Sequence, residues 1–269
     1  MKKRPLGNTG CLVPPIGLGT VKFGRDQQVK YPYPFNIPGD KEAKNLLACA
    51  RDLGINLLDT APAYGNSEER LGHLLFPKRS EWVIITKVGE ELINGQSFFD
   101  FSPEHTHQSI ERSLRRLRTD YLDIVLVHSN GDDLTIINRY GTLDVLADLK
   151  KAGSIRAFGM STKTVEGGLL AAKKSDVVMI TYNLNHTEEE RVIHYAREHN
   201  KGIFIKKAFA SGYIFLGKGI KNALTASMDF IFQHSRGVTS VIAGTIDPGH
   251  LAQIVRAGTE ALKRQEKLN

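Results

Sequence analysis

Short apolar stretches alternate with longer amphipathic ones along most of this 269-residue chain. Eight of the short stretches have the length and the aliphatic content that are typical of buried β-strands. The predicted strands are Ile16–Gly19, Ile55–Asp59, Trp82–Lys87, Leu122–His128, Ile155–Met160, Val177–Tyr182, Gly202–Lys206 and Thr239–Ala243.

The segments between these strands place apolar residues at helical spacing, which predicts eight amphipathic helices. They lie at about Lys41–Leu53, Ser67–Phe76, Pro103–Leu117, Ile137–Ala152, Val165–Lys174, Glu188–His199, Ala223–Phe232 and Pro248–Leu262. Apolar strands that alternate with helices indicate a parallel sheet covered by helices. Eight such units close into one barrel, so the sequence predicts an α/β protein with a (β/α)8 TIM barrel, formed by a single domain of residues 1–269.

A doubly wound open sheet is the main alternative, and it usually carries a GxGxxG sequence after its first strand. Here the first predicted strand continues as Gly19–Gly24, with the sequence GTVKFG, which lacks that spacing. The number of strands therefore favours the closed barrel.

Two segments near the start fall outside this alternation. Arg4–Leu6 and Leu12–Pro14 flank the turn sequence Gly7–Gly10, which predicts an N-terminal β-hairpin that can plug one end of the barrel. The segment Arg25–Gly39 holds three prolines and three aromatic residues, so it is too broken for a helix. We expect it either to wall a substrate pocket or to be an irregular surface loop.

The composition narrows the class of protein. It is 41% hydrophobic and 24% charged, which is ordinary for a globular domain. The formal net charge of +7 favours anionic partners, or reflects only a surplus of surface lysines. No zinc-finger spacing or RNA-binding aromatic pattern accompanies this charge, so we expect no nucleic-acid partner.

The two cysteines, Cys11 and Cys49, form no CxxC pair, which favours a reducing compartment over a disulfide framework. No segment approaches the roughly 20 apolar residues that span a bilayer, and no apolar stretch follows the basic start. We therefore expect a cytoplasmic protein without a membrane partner. No metal site is predicted, and the sequence carries no signal of oligomeric state.

Polar residues end three successive predicted strands, namely Asp59, Lys87 and His128, and Tyr64 follows Asp59 after a short loop. Catalytic side chains converge at the C-terminal ends of barrel strands. Tyr64 is the candidate general acid, because a phenol holds its proton at neutral pH. Lys87 can lower the pKa of that phenol while Asp59 holds Lys87 in place. His128 can hydrogen-bond a substrate oxygen or assist proton transfer, so the set suits reduction of a carbonyl group.

Each of these residues also has a structural interpretation. Asp59 can cap a loop or a helix start, and Tyr64 can pack against the rim of the barrel. Lys87 can be a solvated strand end, and His128 can be a hydrogen-bonded histidine at the edge of the core. A further chemical alternative is Schiff-base formation at Lys87 or Lys206.

Two loops near the end of the chain have features of anion sites. The last strand continues into Gly244–Pro248, where Asp247 can cap the next helix and Pro248 suits its first position. Helix N-termini bind anions, and barrels often bind phosphate after strands seven and eight. The small-residue loop Ala208–Gly212 follows the seventh strand, so the two loops can cradle a pyrophosphate or be routine turns.

The segment Leu57–Gly65, with the sequence LLDTAPAYG, resembles the aldo-keto reductase family. The resemblance continues at Ile84–Lys87, Asp123–His128, Gly159–Ser161 and Tyr182–Asn183. It implies a (β/α)8 barrel that binds NADPH without a Rossmann domain and transfers hydride to a small aldehyde or ketone.

The same resemblance implies a role for each candidate residue. Tyr64 is the acid, and Asp59, Lys87 and His128 tune and orient it. The implied cofactor contacts are Gly19, Thr20, Asp59, Ser161, Thr162, Met179, Lys206, Lys207, Ala208, Phe209, Ala210, Ser211, Gly212, Gly244 and Thr245.

The sequence departs from the family pattern at two of these contacts. Met179 stands where the family often has Gln against the carboxamide, and Lys206 stands where an aromatic ring often stacks on the nicotinamide. The adenosine end lacks the basic motif of many NADPH-preferring members, so NADPH is expected with NADH as the alternative. The short chain end implies an open substrate pocket. These departures keep a second hypothesis, a nicotinamide-binding sensor or accessory subunit with little turnover.

Overall fold

A computed structural model describes residues 1–215 and 220–268 of the chain. Eight parallel strands form a closed barrel, as the sequence predicts. The barrel strands are β3 (Ile16–Gly19), β4 (Leu57–Asp59), β5 (Val83–Val88), β8 (Leu122–His128), β9 (Ile155–Ser161), β10 (Val177–Thr181), β11 (Gly202–Lys206) and β12 (Ser240–Ala243).

The order of strands around the barrel follows the chain, and β12 closes it by pairing with β3. Both faces of these strands are covered, so nearly every barrel position is buried. The closed ring confirms the (β/α)8 prediction and removes the doubly wound alternative.

Helices surround the barrel and pack their apolar faces on it. Their bounds are α1 (Asp40–Asp52), α2 (Ser67–Leu74), α3 (Pro103–Leu117), α4 (Asp133–Arg139), α5 (Thr142–Lys151), α6 (Val165–Lys174), α7 (Glu190–Glu198), α8 (Ile220–Phe232) and α9 (Pro248–Leu268). The helix predicted at Ile137–Ala152 was wrong as a single element, because it is split into α4 and α5. Gly141 between them has a φ of 72°, a left-handed conformation that interrupts a helix.

The N-terminal hairpin is present, and it closes the N-terminal end of the barrel. Its strands β1 (Arg4–Pro5) and β2 (Leu12–Val13) pair in antiparallel fashion. Leu6 and Val13 have no solvent exposure and join the apolar cluster inside the barrel. The hairpin therefore supplies the core layer that shuts one end and leaves the opposite end for ligands.

A second hairpin follows β5 and was not predicted. Its strands are β6 (Glu90–Ile93) and β7 (Gln96–Phe99), joined by Asn94 and Gly95. Both joining residues have positive φ, at 50° and 76°, as the favoured two-residue hairpin turn requires. The Asn-Gly pair was therefore a local signal that the sequence reading overlooked.

Two further expectations concern membrane-spanning segments and disulfide bonds. Across the described ranges, no helix is long and apolar enough to cross a membrane. Cys11 and Cys49 are both unpaired thiols.

Candidate active site

The ends of three neighbouring strands bring the four predicted side chains together. Asp59 is the last residue of β4, Lys87 lies near the end of β5, and His128 ends β8. These strands are consecutive neighbours in the barrel. Tyr64 belongs to the short 3-10 turn Pro62–Tyr64 that follows β4, so its ring returns over the same strand ends.

A close approach of two glycines fixes the backbone on either side of Tyr64. Gly65 has a φ of 61°, and a Cβ added there would overlap the carbonyl oxygen of Gly24. A Cβ added at Gly24 would in turn overlap the carbonyl oxygen of Tyr64. The sequence therefore lets the loop after β3 pack directly on the turn that carries the phenol.

Lys87 is the buried centre of the cluster, with 1% of its side chain exposed. Its ammonium group donates to Asp59 Oδ1 at 2.6 Å, to the Thr60 carbonyl at 2.9 Å and to the Tyr64 phenolic oxygen at 3.1 Å. An ammonium has three donors, so all of them are used. Lys87 is thereby held in one orientation and presents its charge to the phenol.

The phenol of Tyr64 keeps its proton in this environment. Burial first, and then the charge of Asp59, raise the pKa of Tyr64 well above its ordinary value. This direction is opposite to the expected lowering by Lys87. The reason is that Asp59, whose Oδ2 lies 3.4 Å from the phenolic oxygen, offsets the ammonium while burial penalises the phenolate. The resting site therefore holds a neutral proton donor.

His128 stands beside this donor, with its ring edge-on to that of Tyr64 at 6.1 Å between centroids. Burial lowers the pKa of His128, and the charges of Lys87 and Lys206 add to this effect. Its Nδ1 lies 2.8 Å from Glu90 Oε2, at ion-pair distance but outside hydrogen-bond geometry. Glu90 therefore lies beside one ring nitrogen of His128, Nδ1.

Glu90 is a further residue of the candidate site, which the sequence did not predict. It opens β6, and its Oε1 accepts from Ser97 Oγ at 2.7 Å and lies 3.7 Å from Arg25 Nη1. Burial opposes its ionisation, but His128, Ser97 and Arg25 outweigh burial and lower the pKa of Glu90 to about 2. The carboxylate stays ionised and orients the imidazole from behind.

We predict that Glu90→Gln weakens the dependence of stability on acid pH. A carboxylate with a lowered pKa stabilises the fold above its unfolded-state pKa, about 4.3, and loses that contribution as the pH falls toward 2. The depression corresponds to an effect on the order of 3 kcal/mol.

Urea unfolding at several pH values, from about 6 down to about 2, measures this pH dependence. The range covers the unfolded-state and the folded-state pKa of Glu90. Wild type is expected to lose more unfolding free energy over this range than the variant does. The exposed Glu104→Gln is the control, and an acid loss of the same size in Glu90→Gln as in wild type would refute the assignment.

The remaining predicted residues line the same end of the barrel, because β11, β12 and β3 are neighbours and lead on to β4. Thr20 is fully buried, and its hydroxyl donates to the Asp59 carbonyl at 3.0 Å. Gly19 pairs with Asp59 across the sheet. These two residues therefore fix the backbone under the carboxylate.

Lys206 fills the place where the resemblance implies an aromatic ring. Its ammonium donates to Ser161 Oγ at 2.8 Å and to the Thr162 carbonyl at 2.7 Å. Burial lowers the pKa of Lys206, against the opposing charge of Glu189. The Thr162 hydroxyl is buried without a hydrogen-bond partner. An unused hydroxyl and the Lys206 amine thus lie together at the ends of β9 and β11.

Met179 packs into the apolar interior of the barrel. Its side chain is 2% exposed and belongs to the apolar cluster inside the barrel. Its carbonyl accepts from the Thr162 amide at 3.1 Å, which ties β10 to the residue that follows β9.

The loop after β11 has an unusual backbone. Lys207, Ala210, Ser211 and Gly212 have positive φ, at 54°, 46°, 56° and 100°. Such a conformation is costly for residues with a side chain and clusters at ligand clamps. Ala208 and Phe209 are buried beneath, so the strained backbone forms the exposed rim of this loop.

The loop after β12 lies beside it. Gly244 is exposed, and Thr245 Oγ1 accepts from the Asp247 amide at 3.1 Å. The segment 25–39 reaches both loops, because Tyr31 is the nearest neighbour of Gly244 and Pro32 is the nearest neighbour of Gly212. We call residues 30–35 the strap. The predicted wall therefore lies across the groove between the two loops.

The strap is itself held by a cation. Lys22 Nζ lies 4.2 Å from the centre of the Tyr31 ring and 4.6 Å from that of Phe35. Burial and Asp59 raise the pKa of Tyr31 to about 12, so this second phenol at the mouth is neutral as well. Together, a neutral proton donor, a fixed ammonium and an oriented imidazole can protonate an oxygen atom that gains negative charge.

Comparisons with known proteins identify the family of this chain. The sequence profile of the Aldo/keto reductase family matches residues 15–227. The chain is 33% identical over 205 residues to aldo-keto reductase YhdN of Bacillus subtilis, a match that covers 74% of this chain and 59% of that protein. It is 34% identical over 173 residues to NADH-specific methylglyoxal reductase of Escherichia coli, covering 59% of this chain and 51% of that protein.

Among solved structures, a Pseudomonas aeruginosa protein assigned to the aldo-keto reductases superposes with a TM-score of 0.88. It is 53% identical to this chain, and the match covers 97% of this chain and 95% of that one. The chain thus spans between half and two thirds of the two curated relatives, but nearly all of this solved structure.

Proposed function

Because the chain belongs to the aldo/keto reductase family, we propose that it reduces small aldehydes or ketones to alcohols with NADPH, and that Tyr64 donates the proton. Membership of the family supports an oxidoreductase that uses a nicotinamide cofactor. The single observation that carries the catalytic assignment is the buried Lys87 ammonium, which joins Asp59 Oδ1 to the Tyr64 phenolic oxygen.

The proposed chemistry of the chain is a proton transfer at one oxygen atom. When bound in the neighbouring groove, NADPH would supply the hydride that the carbonyl carbon accepts. Tyr64 gives its proton to the carbonyl oxygen, and Lys87 stabilises the phenolate that this leaves, because the ammonium is already within hydrogen-bond distance. Asp59 accepts from Lys87 and holds it in place. We expect Nε2 of His128 to hydrogen-bond the same oxygen, while Glu90 lies beside Nδ1 of the ring.

Several features support a dinucleotide in the groove next to this cluster. The unpartnered Thr162 hydroxyl and the Ser161 hydroxyl are polar groups for a carboxamide, with Lys206 beside them. The positive-φ residues 210–212 supply the kind of backbone concavity that binds phosphate. Gly244 has no side chain, so the backbone of the loop after β12 can approach the adenosine end closely, beside the Tyr31 phenol.

A cationic cleft next to the loop after β11 strengthens the case for an anionic ligand. The cleft measures about 440 Å³, and its lining includes Lys30, Lys163 and Lys207. Burial and the charges of Lys30 and Lys163 lower the pKa of Lys207. Since lysines that repel one another are relieved by a bound anion, this cleft favours a phosphate-bearing cofactor.

Steady-state assays test the proposal directly. Purified protein is expected to oxidise NADPH repeatedly when an aldehyde from a panel of small and aromatic carbonyl compounds is added. The presence of all four candidate side chains favours an enzyme with repeated turnover over a sensor that only binds the cofactor. A single turnover per chain with every compound, despite tight NADPH binding in fluorescence titration, would refute the reductase assignment.

We further propose a cytoplasmic location, which the two unpaired cysteines support.

The loop after β12, which holds Gly244 and Thr245, provides a test of cofactor preference, because we assign it to the adenosine phosphate. Asp247 precedes α9, and its carboxylate accepts from the His250 amide at 2.9 Å, next to the loop assigned to the adenosine phosphate. We predict that Asp247→Asn lowers the Kd for NADPH about 2- to 5-fold relative to NADH, because an exposed charge is worth about 0.5–1 kcal/mol.

Fluorescence titration of both cofactors measures this ratio. Asn preserves the helix cap, so the fold is expected to be unchanged. Asp52→Asn, an exposed acid at the end of α1, is the matched control. An unchanged ratio of the two Kd values in Asp247→Asn would place the extra phosphate elsewhere.

A further inference from the structure

Two histidines and a glutamate converge in the outer layer of helices, apart from the four catalytic side chains. Glu190 and His194 are one turn apart on α7, and His234 lies in the turn after α8. The ligand atoms of these three side chains all lie within 4.8 Å of one another. Glu190 Oε1 is 3.4 Å from His194 Nε2 and 3.2 Å from His234 Nε2.

These spacings match those of a tetrahedral metal site. Zinc binds imidazole nitrogen and carboxylate oxygen at about 2.0–2.2 Å, so neighbouring ligands of a tetrahedral site are about 3.3 Å apart. An isolated Glu–His pair on a helix surface is common, but here two imidazoles direct Nε2 at one oxygen atom. A shared divalent cation satisfies all three groups at once.

The neighbouring rings hold His234 in this position. Its ring packs edge-on against His194, at 5.4 Å between centroids, and against Tyr182 at 5.6 Å. The Tyr182 phenolic oxygen lies 3.0 Å from His234 Nε2, and the Tyr182 ring stacks on Phe230. His234 is therefore ordered before any ion arrives, which lowers the entropic cost of binding one.

The cluster is also open to solvent. The side chains of Glu190 and His194 are 42% and 52% exposed, whereas that of His234 is 15% exposed. An ion can enter from outside, and a water molecule or the nearby phenol of Tyr182 can complete four-coordination.

We propose that Glu190, His194 and His234 bind a divalent transition metal of the zinc type, and that the ion fastens α7 to the turn after α8. The spacing of Glu190 and His194 is visible in the sequence, but the third ligand lies far along the chain. This is why no metal site was predicted from the sequence. The role is structural, and it does not depend on the proposed reductase activity.

Titration of the untagged, chelator-treated protein with Zn²⁺ and with Co²⁺ near neutral pH tests the site. We expect one ion per chain, a visible Co²⁺ absorption typical of tetrahedral coordination, and a rise in Tm when Zn²⁺ is added. His194→Gln and His234→Gln are each expected to weaken the affinity at least about 10-fold and to remove the rise in Tm.

His199→Gln is the matched control, since His199 is an exposed histidine at the end of the same helix and lies outside the cluster. It is expected to bind Zn²⁺ as wild type does. Equal Zn²⁺ affinity in wild type and His194→Gln, or the absence of one-to-one binding, would overturn the proposal. Should His234→Gln fail to fold, the exposed His194→Gln, checked by circular dichroism, decides the question alone.

Discussion

Tyr64→Phe is expected to lower kcat for aldehyde reduction by roughly 10²–10⁴ while the Kd for NADPH and the Tm change little. The substitution removes one oxygen atom, which accepts from Lys87 and carries the proton that we assign to the substrate. Because Tyr64 is a neutral phenol with a raised pKa, the loss of kcat reflects a missing donor and not a missing charge. The Tm change is expected to stay below that of Lys87→Met, since Tyr64→Phe leaves one Lys87 donor without a partner but keeps the Lys87–Asp59 pair.

The measurement is steady-state turnover with a good aldehyde, together with fluorescence titration of the cofactor. Tyr33→Phe is the matched control, since Tyr33 is on the loop near the mouth but is 68% exposed. It is expected to stay within a few-fold of wild type. Undiminished turnover in Tyr64→Phe would assign the proton to another group, with His128 as the first candidate.

The fold was largely predictable because buried parallel strands leave a strong signal. All eight barrel strands were located from apolar runs, and the polar residues at their ends indicated the edge of the barrel where chemistry occurs. The predictions that failed concern short turns that end a helix or join two strands. Gly141, which separates α4 from α5, and the Asn94–Gly95 turn of the second hairpin are both left-handed positions with ordinary turn residues.

The candidate site was predictable in its members but not in its contacts. Their positions at the C-terminal ends of strands place Asp59, Lys87 and His128 at one edge of the barrel. These positions do not show how deeply each side chain is buried or which other side chains contact it. Glu90 lay in an overlooked hairpin, so its effect on His128 could not be foreseen. The pKa of Tyr64 is raised and not lowered because the phenol is buried and lies beside Asp59, and only the folded geometry reveals both.

The same geometry predicts a large stability effect for Lys87→Met. Removing the ammonium leaves the Asp59 carboxylate buried without its partner, since only 6% of that side chain is exposed. Loss of one member of a buried ion pair costs about 3–5 kcal/mol of unfolding free energy. Activity is expected to fall at least about 100-fold as well, because the phenolate formed at Tyr64 loses its stabilising charge.

A double variant separates the two effects. Asp59→Asn combined with Lys87→Met removes both charges, so most of the lost stability is expected to return, because a neutral replacement of a buried pair is often tolerated. The activity is expected to stay low, because neither the charge nor its positioning carboxylate is present. Lys151→Met is the control, since the Lys151–Asp148 pair is 77% and 73% exposed and is screened by solvent, so its loss is expected to change stability little. Urea unfolding compares the free energies of unfolding of the variants. An equal loss in Lys87→Met and Lys151→Met would show that the buried Lys87–Asp59 pair does not stabilise the site.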